Sequence, residues 1–129
     1  MPAGEKLEKL VGLVKTLRGK DGCPWHKAQT FETISEEARK EIDELFEALK
    51  EKDDGHIKEE LGDAIWELVV LATIADEQGR FDLEGALDGI AAKVIRRHPH
   101  VFGGKKAETV EDALKLYYAA KAAEKKAKR

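Results

Sequence analysis

From Ala64 to Ala75 the chain reads Ala-Ile-Trp-Glu-Leu-Val-Val-Leu-Ala-Thr-Ile-Ala, apolar on nearly every side of a helix and interrupted by one charge. A helix that is apolar all round is buried all round. In a chain of 129 residues one core cannot easily surround it. The run therefore predicts an all-α subunit whose third helix lies partly against a second copy, in a homo-oligomer that is a dimer or a tetramer. Glu67 is the lone charge of the run, on the side that carries Glu60 and Asp63. A carboxylate in such surroundings needs a partner, either in the neighbouring acidic residues or in a groove open to water.

The rest of the chain reads as further helices. Leu7, Leu10, Val11, Val14 and Leu17 recur at three- and four-residue steps, marking a first helix from about Glu5 to Arg18, which Gly19 and Gly22 stop. A dense irregular loop follows from Lys20 to Thr30. Thr33 or Ser35 can cap a second helix that runs to about Lys52, with Ile42, Leu45, Phe46 and Leu49 facing the core. Asp53-Asp54-Gly55 reads as a turn, His56 to Gln78 as the third helix, and Asp82 to Arg97 as a fourth with Leu83, Leu87, Ile90 and Val94 inward. His98 to Lys106 reads as loop. Thr109 can cap a last helix from Val110, and residues 122–129 read as a frayed basic tail. About five helices, one domain over 1–129 and a bundle completed by oligomerisation are expected.

Composition sets outer limits. The chain is 42% hydrophobic, 38% charged and only 6% aromatic, a balance closer to helical proteins than to β-sandwiches. Its net charge of −3 argues against a general nucleic-acid binder. The lone Cys23 rules out an intrachain disulfide and fits a reducing compartment. With no apolar signal core at the amino terminus and no run of membrane-spanning length, a cytoplasmic protein without membrane contact is expected.

Two pairs of carboxylates, Glu41-x-x-Glu44 and Glu60-x-x-Asp63, flank the apolar stripes of the second and third helices. Helical residues three apart share a side, so each pair presents two oxygen donors to one object. If the helices are antiparallel neighbours, four carboxylates converge, and a hard cation such as Mg²⁺ or Mn²⁺ is the usual neutraliser of such a set. For any one such pair, spacing alone favours a solvated charged surface, because Glu-x-x-Glu is common on exposed helices. Lys93, Arg96 and Arg97 close the fourth helix. Their position suits a helix C-terminus, and beside a carboxylate-held metal it also suits a polyphosphate. Pro99 between His98 and His100 prevents the i, i+4 histidine pair of a helical zinc site, and Cys23 has no readable acid–base partner.

Four segments carry a family resemblance: Leu-Arg-Gly-Lys-Asp-Gly-Cys-Pro-Trp-His-Lys-Ala-Gln-Thr (17–30), Lys-Glu-Glu-Leu-Gly-Asp (58–63), Glu-Gln-Gly-Arg-Phe-Asp (77–82) and Arg-Arg-His-Pro-His-Val-Phe-Gly (96–103). In this order they closely resemble the MazG nucleoside triphosphate pyrophosphohydrolases. The resemblance implies an all-α, oligomeric NTP pyrophosphatase fold and Mg²⁺-dependent conversion of an NTP to NMP and pyrophosphate, in a role such as house-cleaning of non-canonical nucleotides. It identifies Glu41, Glu44, Glu60 and Asp63 as metal ligands and catalytic residues, and decides against the solvated surface.

Three positions depart from the family pattern. The first acidic motif of that family is EExxE, and its leading Glu is Lys40 here. An ammonium beside four carboxylates would relieve their repulsion and compete with metal, so weak Mg²⁺ affinity is expected. His26 replaces the Asp usual after Cys-Pro-Trp, and Tyr117 stands for a Trp in the last helix. Lys93, Arg96, Arg97 and Lys121 would grip phosphates; Trp25 is either a base-stacking residue or a core Trp. A catalytically silent, nucleotide-binding regulatory relative is the alternative that the Lys40 change leaves open.

Overall fold

In the computed structural model, which describes residues 1–128, there are seven helices and no strand among the described residues. They are α1 (Ala3–Arg18), α2 (Pro24–Ala28), α3 (Phe31–Glu51), α4 (Asp54–Glu77), α5 (Leu83–Arg97), α6 (Pro99–Phe102) and α7 (Val110–Ala127). The five long ones correspond to the expected five; α2 and α6 are short turns within the two expected loops. None of the helices is long and apolar enough to cross a membrane. The chain divides into two compact units, Met1–Leu83 and Glu84–Arg129.

The first unit is built on α3 and α4, joined only by Lys52 and Asp53, which makes them an antiparallel pair. Thr30, not Thr33 or Ser35, caps α3: its hydroxyl accepts from the Thr33 amide while Thr33 Oγ1 accepts from the Thr30 amide. This reciprocal box satisfies two amide donors that the first helical turn leaves free. At the other end Lys52 takes a left-handed conformation (φ 58°), and Asp53 caps α4 through the amides of Gly55 and His56. The expected Asp-Asp-Gly turn is therefore mostly the first turn of α4.

Val14, Ile34, Val69, Val70 and Ile74 form the core, ringed by Leu7, Leu10, Val11, Phe31, Trp66 and Leu71. The apolar run of α4 is thus largely buried within its own chain, with Val70 fully enclosed. Ile65 and Leu68 are the parts left exposed. A correction concerns α3. Ile34, Ala38 and Ala48 are its buried residues, whereas Ile42, Phe46 and Leu49, expected to face the core, are exposed. The face of α3 that packs is the one carrying Ile34, Ala38 and Ala48, and the stripe of larger residues lies on another face, turned outward.

Arg18 ties the ends of this unit together. Its guanidinium makes a two-point pair with Glu77 (2.7 and 2.9 Å) and donates to the carbonyls of Gln29 (3.0 Å) and His26. The α1–α2 loop closes over Gly22, where an added Cβ would lie 2.1 Å from the Leu17 carbonyl oxygen, so no other residue fits. Gly79 (φ +69°) ends α4, as the sequence suggested.

In the second unit, α6 and α7 pack together and the carboxyl end of α5 is pinned by ion pairs to Glu124. Thr109 caps α7 through the Asp112 amide, and helix continues to Ala127 through the segment expected to fray. α5 has no buried residue: Leu87, Ile90 and Val94, expected in the core, are exposed.

Ile34 is fully enclosed. Truncating it to Ala removes buried surface and leaves a cavity, so Ile34→Ala should lower unfolding stability by about 2–5 kcal/mol in urea titrations. A loss under about 0.5 kcal/mol, the range of ordinary surface changes, would mean that the α1–α3–α4 core is not where the stability resides.

Candidate functional site

The close approach of α3 to α4 sets acidic residues from both helices against each other. Glu41 on α3 and Glu60 and Asp63 on α4 bring one carboxylate oxygen each to within 4.8 Å of one another. Glu44, one turn along α3, is exposed at the rim, where it both repels Glu41 and hydrogen-bonds to it. All four carboxylates singled out in the sequence therefore converge, three as a tight set and one beside it. Glu67 is drawn to the same region, repelled by Asp63 and by Glu37.

Burial and mutual repulsion mark this group. Burial is the first cause that raises the Glu41 carboxyl to about 7, followed by the charge and hydrogen bond of Glu44 and the charges of Asp63 and Glu60. Glu60 and Glu67 are also raised, again first by burial and then by neighbouring carboxylates. One oxygen each of Glu41, Glu60 and Glu67 is buried with no hydrogen-bond partner. Buried acceptors normally have partners, and a cation is one partner that could satisfy all three orphaned oxygens around this acidic cluster. An all-carboxylate donor set suits a hard divalent ion rather than zinc or copper.

Two residues at this cluster were not among the sequence candidates. Glu37 lies one turn before Glu41, and its i, i+4, i+7 relation to Glu41 and Glu44 was a readable signal. His56 stands one turn before Glu60 and bridges two carboxylates: Nδ1 to Glu51 at 2.7 Å and Nε2 to Glu60 at 3.2 Å. Its pKa is raised, first by the hydrogen bond to Glu51. Lys40 does not lie over the cluster as expected. It is two-thirds exposed and reaches back along its own helix to Glu37 at 3.3 Å. Exposed pairs of this kind contribute at most about 1 kcal/mol.

The basic candidates belong to the second unit. Arg96 and Arg97 both close on Glu124 (2.9 and 3.0 Å), and Arg97 also donates to the Tyr117 hydroxyl at 3.1 Å. The hydrogen bonds from Arg96 and then Arg97 hold the Glu124 carboxyl down at about 2. Lys93 and Lys121 are exposed on α5 and α7. The Arg96–Glu124 pair also borders a cavity of about 690 Å³ lined by Leu116, Ala119, Ala120 and Ala123, none of them acidic cluster residues. Trp25, on α2, is 49% exposed and meets His26 edge-on at 4.9 Å, so it is not the core Trp that the sequence left open.

The raised carboxyls make metal-free stability depend on pH. Between about 4.5, the ordinary carboxyl value, and about 7, the folded protein holds protons on Glu41 that the unfolded chain has released. Stability must then fall as pH rises through that window. Thermal melts of metal-free protein from pH 5 to 8 should show this decline, and Glu41→Gln should flatten it. A wild-type melt that rises steadily with pH would contradict the clustering.

Comparison with known proteins shows the family. The model of the "MazG nucleotide pyrophosphohydrolase domain" matches residues 29–102, a span that contains all four carboxylates. The chain is 45% identical over 101 residues to the nucleoside triphosphate pyrophosphohydrolase/pyrophosphatase MazG of Thermotoga maritima, covering 78% of this chain and 40% of that protein. It is 37% identical over 110 residues to the nucleoside triphosphate pyrophosphohydrolase of Escherichia coli K12, covering 84% of this chain and 42% of that protein. The chain thus spans about two fifths of the length of these curated relatives. The crystal structure of a mazG-related protein from Thermotoga maritima superposes with a TM-score of 0.76 at 33% identity, over 89% of this chain and 98% of that one.

Proposed function

Because the chain belongs to the MazG nucleotide pyrophosphohydrolase family, we propose that it hydrolyses nucleoside triphosphates to the monophosphate and pyrophosphate with Mg²⁺ as cofactor. The observation that carries this reading is the convergence of Glu41, Glu60 and Asp63, with buried carboxylate oxygens left unpartnered. These three residues would hold the ion, with Glu44 at the rim. A divalent cation bound there supplies charge neutralisation for the triphosphate and acidifies water; Mn²⁺ is the natural substitute.

The protein's own groups divide the remaining work. A water oxygen bonds to phosphorus, the α–β anhydride bond breaks, and pyrophosphate leaves. The proton released goes to a carboxylate of the cluster, and Glu41 is the one we assign to orient or deprotonate the attacking water. Arg96 and Arg97 take the phosphates by exchanging Glu124 for phosphate oxygens, a geometry that guanidinium matches with two parallel bonds. Lys93 and Lys121 add positive charge, and the exposed face of Trp25 is available to stack on a base. Lys40 faces Glu37 and leaves the three-carboxylate set intact, so the departure from the family motif does not by itself silence the site.

Pyrophosphate release across a panel of canonical and modified NTPs and dNTPs, with and without Mg²⁺, tests the reading. Asp63→Asn should retain its fold and lose turnover by about a hundredfold or more, the scale typical for removing one charge-stabilising group. Near-normal turnover in that variant would remove the ligand assignment, and nucleotide binding without pyrophosphate release would instead establish a silent regulatory relative.

A homo-oligomer is part of the same proposal. Ile42, Phe46 and Leu49 on α3 and Leu61, Ile65 and Leu68 on α4 form two exposed i, i+4, i+7 stripes on one helix pair. Apolar stripes of this size usually mark association surfaces. Leu68→Lys should reduce the mass by light scattering with helical circular dichroism retained, whereas Val70→Lys should unfold the subunit. An unchanged mass for Leu68→Lys would exclude this face from the interface.

A further inference from the structure

We propose that His56, held by Glu51, is a positioning residue that aims one oxygen of Glu60 into the metal set. The proposal rests on the metal reading above. Glu60 uses its two oxygens differently: Oε1 lies 3.2 Å from His56 Nε2, while Oε2 is buried without a hydrogen-bond partner. The Glu60 side chain is only 13% exposed. A carboxylate with one oxygen pinned has its rotation about the terminal bond stopped, so the other oxygen points in one direction. Here the carboxylate group joins Glu41 and Asp63 in the tight set.

The imidazole is itself fixed. Its Nδ1 lies 2.7 Å from Glu51 Oε2, which orients the ring from the side opposite Glu60. The origin of the arrangement is local. His56 and Glu60 are four residues apart on α4 and share a face, and the Asp53 cap starts α4 where the His56 ring can also meet Glu51 at the end of α3. The carboxylate–imidazole–carboxylate chain therefore spans the α3–α4 turn and ends on a ligand. Partners of this kind outside the ligand shell fix ligand orientation, and their loss typically costs about 10–100-fold in metal affinity.

A ring that donates from both nitrogens to carboxylates carries positive charge, so His56 also opposes a cation electrostatically; if that effect outweighs positioning, its removal strengthens binding. The two roles differ in sign. Mn²⁺ titration of the full chain, followed by the electron paramagnetic resonance signal of free Mn²⁺ at fixed pH, separates them. Positioning predicts that His56→Ala weakens Mn²⁺ binding by about tenfold or more, with an unchanged circular dichroism spectrum. His56→Gln, which keeps an N–H donor one turn from Glu60, should recover most of that loss. In a Glu60→Gln background His56→Ala should have no further effect. Unchanged or tighter binding in His56→Ala, with Glu60→Gln still defective, would overturn positioning while leaving the metal site standing. A wild-type chain that takes up no Mn²⁺ would overturn both.

Discussion

The structure turns on repulsion among carboxylates that the close packing of α3 on α4 forces together. α3 and α4 pack on each other, and Glu41 meets Glu60 and Asp63 across that packing. Like charges so placed raise one another's proton affinity, as at Glu41, and leave buried oxygens without partners. A protein selected only for stability gains nothing from this arrangement, since apolar residues at the same places would pack without the repulsion. A divalent cation held there, as proposed, would resolve the repulsion.

The same packing explains the exposed apolar surface. With the small residues of α3 against α4, its large ones, Ile42, Phe46 and Leu49, point outward, and α4 leaves Leu61, Ile65 and Leu68 uncovered. Core and exposed apolar stripes are thus two faces of one helix pair, and the acidic cluster lies along the seam between its helices. Mutations at the outer stripe are expected to be felt at the carboxylates, because both depend on how α3 and α4 lie together.

Much of this was legible in the sequence, for identifiable reasons. Helical period, the Thr109 cap and Gly79 located the long elements; i, i+3 spacing singled out Glu41, Glu44, Glu60 and Asp63 as groups that converge if their helices are antiparallel, and the family resemblance decided against a solvated surface. What the sequence concealed was rotation. Periodicity says that a helix has an apolar face but not which partner covers it, so Ile42 and Phe46 were read as core while the alanines made the contact. Side-chain choice was equally hidden: Lys40 is adjacent to Glu41 in sequence, yet it reaches back one turn to Glu37. His56 was passed over because its role depends on the α3–α4 turn, which brings Glu51 to one ring nitrogen while helical spacing brings Glu60 to the other. Glu124 escaped notice in the same way, being 27 and 28 residues from the arginines that it neutralises.

The central claim is that the α3–α4 seam is a divalent-cation site, and anomalous diffraction from crystals soaked in Mn²⁺ tests it most directly. The account predicts an anomalous peak bounded by Glu41, Glu60 and Asp63, with oxygen ligands at about 2.0–2.6 Å, the range for hard divalent cations. Manganese bound only elsewhere on the chain, with these three carboxylates free of it at saturating metal, would contradict the account.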